Sequence, residues 1–427
     1  MTRNDYSSRI RGLHAMGMDE RLRTVADTVG LLPETREHLA ATGALVGEVA
    51  DRMSENVIGT IGIPVGVATN LVIDGRDRLV PMATEESSVI AAVCNAARQC
   101  RATGGIATST SGPLMIAQVQ LVGVPDPENA RFRILEKRDA IREICDACDP
   151  VLLKLGGGFR DIEVRVIDSA EGPMVITHLV VDTRDAMGAN AVNTMAEAVG
   201  PKIAEWTGGK VLLRILSNLA DRRLARARGV WAVDEIGGPD VRDGMLTAFR
   251  FADADPYRAA THNKGIMNGV TAVVLATGND TRAIEAGAHA YAARTGRYRS
   301  MSRWEMDAEG NLVGVLELPM AVGLVGGATK IHPTARACLE ILGSESAEDL
   351  QRVTVAVGLT QNFAALKVLA TSGVQKGHMS LHSKNIAIMA GAEGGEIDAV
   401  AARLVADGKV RVDHAEAVLA EIRGRSG

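Results

Sequence analysis

Between residues 114 and 218 the spacing of apolar positions switches between two and about 3.6, and the switches spell out a fold. Met115–Val124 is an apolar run of strand length. Arg133–Cys148 is charged, with Ile134, Leu135, Ile141, Ile144 and Cys145 at helical spacing. Ile162–Ile167 alternates with period two, as a half-buried strand does, and Met174–Val181 is a second strand after the turn Glu171-Gly172-Pro173. Ala189–Val199 reads as a helix stopped by Gly200-Pro201, and Val211–Leu216 as the last strand. The order βαββαβ predicts a ferredoxin-like sandwich, two helices over one face of an antiparallel sheet.

The flanks follow another pattern. Residues 1–113 and 219–375 read as mostly helical, with strand-like pieces at Leu71–Ile73 and Leu312–Glu317. They bracket the small unit, which is therefore expected as an insertion (114–218) in one larger domain. Residues 376–427 read as a small helical domain: Leu381–Ala392, then two helices ending near Arg423, with breaks at Gly391, Gly394 and Gly395. The expected fold class is α+β.

Composition narrows the function. A chain of 427 residues holds two or three domains and a large core. Aromatics are only 3% against 46% apolar residues, and 45 glycines point to close-packed helices and tight turns. A net charge of −5 and the lack of a basic tract with interleaved aromatics argue against a nucleic-acid partner. Met1–Tyr6 has no apolar signal core, and the longest uncharged stretch, Gly104–Pro125, is broken by Thr108–Ser111, Gln118 and Gln120. The expectation is a cytoplasmic chain with no membrane partner. Five cysteines are no disulfide framework. Cys145-Asp146-Ala147-Cys148 lacks further ligands at zinc spacing, and His378 and His382, one turn apart, lack a third, so no metal is expected.

The candidate chemistry centres on His262-Asn263-Lys264-Gly265, read as a loop, and on Asp280 sixteen residues later. The segment between them, Gly265–Asn279, is uncharged. A cation and a carboxylate at its two ends can stabilise an oxyanion and move protons, although Asp280 is equally placed to cap a helix. Glu86, in Glu85-Glu86-Ser87-Ser88, opens a predicted helix to Arg101 whose inner stripe is Val89, Ile90, Val93 and Ala97. It serves either the helix dipole or a proton transfer. His378, after Gly377, suits a general acid delivered by closure. No Rossmann fingerprint exists: the only G-x-G lies in Gly156-Gly157-Gly158, and residue 161 is Asp. Asp185-Ala186-Met187-Gly188-Ala189-Asn190 follows a strand and opens a helix, which is either a plain turn or an uncovered helix N-terminus for phosphate or a nicotinamide amide.

Taken together, Glu55–Gly59, Asp185–Asn190, His262–Gly265, Gly278–Asp280, Gly323–Thr329 and Gly377–Met379 resemble, in order, class II (soluble bacterial) 3-hydroxy-3-methylglutaryl-coenzyme A reductase over nearly the whole chain. The resemblance implies reduction of a thioester to an alcohol with two NAD(H), releasing coenzyme A and mevalonate. Lys264 would hold the oxyanion, and Asp280 would lie between Lys264 and Glu86. Glu86 would give a proton to the aldehyde oxygen, and His378 would protonate the coenzyme A thiolate. Arg258 and Ser88 would grip the substrate carboxylate; Asn268 and Asn218 would bond near the reacting carbon. Asp185, Ala186, Met187, Gly188, Ala189 and Asn190 would take the nicotinamide end, and Asp149 the adenosine ribose. A carboxylate there favours NADH over NADPH. Relatives imply an obligate homodimer, or a higher oligomer of dimers, whose site spans two subunits, the lysine of one chain meeting the glutamate of the other. Two positions depart from relatives: His14 stands where some carry an arginine for the coenzyme A phosphate, and Thr281 where some carry an aromatic residue. The alternatives are a coenzyme A-acylating aldehyde dehydrogenase, which needs an activated cysteine, and a non-catalytic coenzyme A or nucleotide sensor.

Overall fold

The computed structural model describes residues 6–425 except 44 and 372–373, with the side chains of 374–381 and 425 outside the description. Its strands are β1 (Val65–Ile73), β2 (Arg76–Ala83), β3 (Ile106–Thr110), β4 (Leu114–Val122), β5 (Gly158–Ile167), β6 (Met174–Asp182), β7 (Lys210–Leu216), β8 (Leu224–Trp231), β9 (Ser302–Met306) and β10 (Leu312–Pro319). They form two sheets, a six-stranded one ordered β2-β1-β3-β8-β10-β9 and a four-stranded one ordered β5-β6-β4-β7.

The four-stranded sheet is antiparallel throughout, and its order is the ferredoxin-like one that the βαββαβ pattern predicts. Two boundaries differ from expectation. The helix expected over 133–148 is two helices, Pro127–Glu136 and Arg138–Cys148, hinged at Lys137. The helix expected to stop at Gly200-Pro201 runs from Ala189 to Thr207 and ends at Gly208, with Pro201 inside it. Packing overrides the proline: Ala196, Val199 and Ile203 are buried, and Gly200 lies so close to β7 that a Cβ would come within 2.7 Å of the Arg214 side chain.

The flanking region is richer in strand than its sequence suggests: β2 opens on the charged residues Arg76, Asp77 and Arg78, and β8 sets Arg226 and Arg228 between small residues, so neither stands out as an apolar strand in the sequence. At its centre lies the helix Ala347–Ala370, buried without a break from Val353 to Ala364. This is the one helix among the described residues long and apolar enough to cross a membrane, and it is mostly buried inside the protein. A helix that is apolar all round is what a core position requires. Against it packs the helix Pro256–Ala276. The approach is close because Gly269 and Gly358 lack side chains: a Cβ on Gly269 would lie 2.9 Å from Gln361 Cβ, and one on Gly358 2.7 Å from Val270. The C-terminal helices Val374–Met389, Gly395–Ala406 and Val412–Arg425 enclose a separate small core around Ala387, Val400, Leu404 and Ala415.

Candidate functional site

Lys264 lies mid-helix, not in a loop. Asp255 caps the helix Pro256–Ala276, its carboxylate accepting from Arg258 N–H at 2.8 Å, and Pro256 supplies the first turn. Ala259, His262, Asn263, Ile266, Met267 and Val270 form the buried face at three- and four-residue spacing. The glycines that suggest a loop, Gly265 and Gly269, sit within this helix, and the second serves the contact with the central helix.

The helix therefore divides the motif. His262 and Asn263 point inward. Asn263 donates to Arg299 O at 2.9 Å and accepts from Met301 N–H at 3.0 Å. His262 Nε2 meets Ser300 Oγ at 2.9 Å and Ser302 Oγ at 3.0 Å. Both residues anchor the helix to the entrance of β9. Burial, with Arg258 nearby, depresses the His262 pKa to about 4, so it is neutral at pH 7 and is no proton donor there. Because the folded value lies below the unfolded 6.5, the unfolded chain takes up the proton first as pH falls. The associated stability is complete above about pH 6.5 and is lost toward pH 4, on the order of 3 kcal/mol. Urea unfolding at pH 7 and pH 4.5 should show a larger loss for the native chain than for His262→Asn; equal losses would contradict this account.

Lys264 points outward. Its Nζ donates to Glu86 Oε2 at 2.6 Å. Asn268, one turn on and on the same face, donates to the same oxygen at 3.4 Å. Glu86 sits in the turn between β2 and the helix Val89–Cys100, which starts about one turn later than the sequence suggests. Its N–H donates to Thr84 Oγ1 at 3.1 Å. Ser88 closes the turn with φ 78°, a left-handed conformation costly for a residue with a Cβ, and its hydroxyl makes no capping bond. Glu86 and Lys264 meet within one chain, where the resemblance implies a lysine of one subunit meeting a glutamate of the other. The two side chains are 37% and 60% exposed, so their pairing contributes only about 0–1 kcal/mol to stability.

Asp280 caps the helix Thr281–Ala292 through Oδ1, which accepts from Arg282 N–H at 3.0 Å and Ala283 N–H at 3.1 Å. Among the described residues no bond joins it to Lys264 or Glu86, and its Oδ2 accepts none. Arg258 has no ion-pair partner among the described residues. Asn218 is exposed, in a loop whose carbonyl rests on Gly287 of the Asp280 helix. His378 falls on the helix Val374–Met389, and its side chain lies outside the described residues.

Three of the quoted motifs converge. Asp185–Met187 runs beside Gly323–Val325, with Leu324 N–H donating to Asp185 O at 2.8 Å and Ala186 bridging Val325. Asn279 Oδ1 accepts from Gly323 N–H at 2.8 Å, which ties both segments to the residue before Asp280. Asp185 Oδ1 also accepts from Ala347 N–H, at the start of the central helix. Gly188 caps the helix Ala189–Thr207 at φ 102°, and a Cβ there would lie 2.5 Å from Thr183. Only glycine satisfies both constraints. Holding this junction is a residue the sequence analysis missed, Arg223, which is fully buried. It donates to Thr183 Oγ1, Ala186 O and Met187 O at 3.0, 3.0 and 3.3 Å, and to Val322 O at 2.7 Å. Burial lowers its pKa to about 10, so it remains a cation at pH 7. The chain order carries no sign of this, since β8 reads as an ordinary strand beginning after an arginine.

Asp149 ends one helix and caps the next, Pro150–Lys154, with Oδ1 accepting from Leu152 N–H at 2.9 Å. His14 lies on an exposed 3₁₀ turn. Four of the five cysteines lack thiolate character: burial pushes Cys100 to about 11, Cys145 and Cys338 to about 12, and raises Cys148. That disfavours the cysteine-dependent dehydrogenase chemistry. Among the described residues no cluster of three or more metal-ligating side chains occurs.

The hydroxymethylglutaryl-coenzyme A reductase family model matches residues 17–383. The chain is 55% identical over 421 residues to the 3-hydroxy-3-methylglutaryl-coenzyme A reductase of Archaeoglobus fulgidus, covering 99% of this chain and 96% of that one. It is 35% identical to a probable reductase of Borreliella burgdorferi, over 78% and 77% of the two chains. The solved reductase of Streptococcus pneumoniae superposes with a TM-score of 0.83 at 39% identity, over 96% of this chain and 99% of that one. A structure of that organism's class II reductase bound to NADPH matches at 40% identity with a TM-score of 0.82, over 84% and 99%. With this fold, this pairing of Lys264 and Glu86 and these matches, the chain belongs to the hydroxymethylglutaryl-coenzyme A reductase family.

Proposed function

We propose that the protein interconverts 3-hydroxy-3-methylglutaryl-coenzyme A and mevalonate plus coenzyme A. The observation that carries this is the ammonium of Lys264 against Glu86 Oε2, with Asn268 on the same oxygen. When bound in turn, two reduced nicotinamide dinucleotides would each supply one hydride. In the first reduction the thioester oxygen takes the place of Glu86 beside Lys264, and the ammonium balances its growing negative charge. His378, brought in by the C-terminal helices, protonates the departing thiolate, so that coenzyme A cannot attack the aldehyde again. In the second reduction Glu86 gives its proton to the aldehyde oxygen. Asp280, with Oδ2 uncommitted among the described residues, tunes both Lys264 and Glu86. Arg258, without a carboxylate of its own, and Ser88, with an uncommitted hydroxyl, bind the substrate carboxylate. Asn268 and Asn218 bond near the reacting carbon.

The four-stranded unit fits the dinucleotide. No side chain caps the N-terminus of the 19-residue helix that follows Gly188, and Asn279 links this junction to the Asp280 loop. The nicotinamide end lies along Asp185–Asn190. Asp149 Oδ1 is held by its cap, which leaves Oδ2 to accept from a ribose hydroxyl and to repel a 2′-phosphate. NADH is accordingly the preferred cofactor, although the pneumococcal relative binds NADPH. Asp149→Asn keeps the cap and removes the charge. It should raise the NADPH-to-NADH ratio of kcat/KM by about tenfold, a change of about 1.4 kcal/mol; an unchanged ratio would rule out the ribose contact.

A homodimer is part of the proposal. Within Glu55–Gly59 and just after it the chain leaves Ile58 and Ile61 almost wholly exposed, an apolar surface suited to a second copy. The site works in the cytoplasm. The deciding experiment follows absorbance of NADH and NADPH with hydroxymethylglutaryl-coenzyme A, and of their oxidised forms with mevalonate and coenzyme A. Turnover in either direction is expected; no change with either nicotinamide would favour the non-catalytic sensor.

A further inference from the structure

Between Asp149 and Asp185 lies a charge cluster that the functions above leave unused. Asp182, almost fully buried at the end of β6, takes two guanidinium groups on one oxygen: Arg160 Nη2 at 2.9 Å and Arg184 Nη2 at 2.7 Å. Its other oxygen accepts from Arg184 N–H at 3.0 Å. Both arginines also donate to Gly156 O, at 2.6 and 2.7 Å. Gly156 follows the short helix that Asp149 caps. Arg184 therefore reaches from the end of the Asp149 helix to the first residue of Asp185–Asn190.

The cluster carries one excess positive charge, two cations to one carboxylate. Its donors are unevenly used. Arg160 spends Nη1 on Gly157 O and Phe159 O, and Nη2 on Gly156 and Asp182. Arg184 spends only Nη2. Its Nε is buried without a partner, and its Nη1 has none among the described residues, so three of five N–H donors are uncommitted. Arg184 also holds φ 50°, a left-handed backbone that a side-chain-bearing residue adopts at a cost. Asp182 and Asp185 fix the backbone on either side of it.

We propose that Arg184 grips the pyrophosphate of the nicotinamide dinucleotide, with Asp182 and Arg160 positioning its guanidinium. The inference rests on the assignment of Asp149 and Asp185–Asn190 to the two ends of that cofactor. A ligand anchored at both ends must carry its two phosphates across the interval, and Arg184 is a cation there with donors uncommitted among the described residues. A planar fork suits phosphate oxygens better than a point charge does.

The test compares Arg184→Gln and Arg184→Gly with the unaltered enzyme. Glycine accepts the left-handed backbone, so that variant removes the side chain without straining the turn. Both should weaken binding of NADH and of ADP-ribose by about tenfold to a hundredfold, the effect of losing charge-assisted hydrogen bonds. The fall of NADH affinity with rising salt should become shallower, while the KM for hydroxymethylglutaryl-coenzyme A moves less than twofold. Unchanged NADH and ADP-ribose binding would overturn the proposal. So would a loss confined to hydroxymethylglutaryl-coenzyme A, which would assign Arg184 to the coenzyme A pyrophosphate, and so would unfolding of both variants, which would make it a structural residue. If the unaltered enzyme bound ADP-ribose yet reduced no thioester, the functional assignment would fail on its own while the Arg184 comparison still stood.

Discussion

Lys264→Ala is expected to lower kcat/KM about 10³-fold or more for hydroxymethylglutaryl-coenzyme A and for mevaldehyde alike. In the proposed reaction both reductions place negative charge on the oxygen that Lys264 would face, and removing a single preorganised donor from such a site costs about 3–4 kcal/mol of transition-state stabilisation. Stability should hardly move. The side chain is 60% exposed and its partner Glu86 37%, and pairs of that kind contribute about 0–1 kcal/mol. The split between a large kinetic and a small thermal effect separates a catalytic group from one that supports the fold. Lys264→Arg keeps the charge but spreads it over a broader, planar group, and is expected to recover little. Steady-state rates with the two substrates and a thermal melt decide the matter. Mevaldehyde reduction within tenfold of the native rate would remove Lys264 from the second step.

The same residue shows how far the sequence alone reaches. A cation before an uncharged stretch identifies Lys264 as a candidate, and its motif separates it from other lysines. The helix that carries it is signalled by Asp255-Pro256 and by the spacing of Ala259, Asn263, Ile266 and Val270. The signal is masked by Gly265 and Gly269, which look like breaks. A glycine needed for close helix approach and a glycine needed for a turn are the same letter, and the partner that distinguishes them, Gln361, lies 92 residues away. The four-stranded sheet is legible because its strands are half-buried and its turns local. The six-stranded sheet is not, because β3 pairs with β8 across the whole four-stranded unit and β8 with β10 across the Lys264 helix and its neighbours. Likewise Asp280 shows its cap at once, since the cap is local, whereas the link from Asn279 to Gly323 spans 44 positions.

Arg223 is the extreme of this non-locality, and Arg223→Met is expected to have the largest effect on stability. The guanidinium is fully buried and has no carboxylate in direct contact. Its charge is balanced instead by three backbone carbonyls, one hydroxyl and the fields of Asp182, Asp185 and Glu348. Methionine fills part of the space but donates nothing. Ala186, Met187 and Val322 would each keep a buried carbonyl short of a bond, a cost of about 1–3 kcal/mol apiece before relaxation. Because such costs overlap, a net loss of about 3–5 kcal/mol is expected, read as a fall in Tm of roughly 5 °C or more. The affected carbonyls belong to the two segments that meet at the proposed nicotinamide end, so the KM for NADH should rise more than the KM for hydroxymethylglutaryl-coenzyme A. Arg223→Lys should restore little, because one ammonium cannot reach both the Ala186–Met187 turn and Val322. A melt unchanged in Arg223→Met would show that the junction is held by the direct pairing of Asp185 with Leu324 and of Asn279 with Gly323. A lower Tm with an unaltered NADH KM would show that the clamp supports the fold without setting the cofactor site.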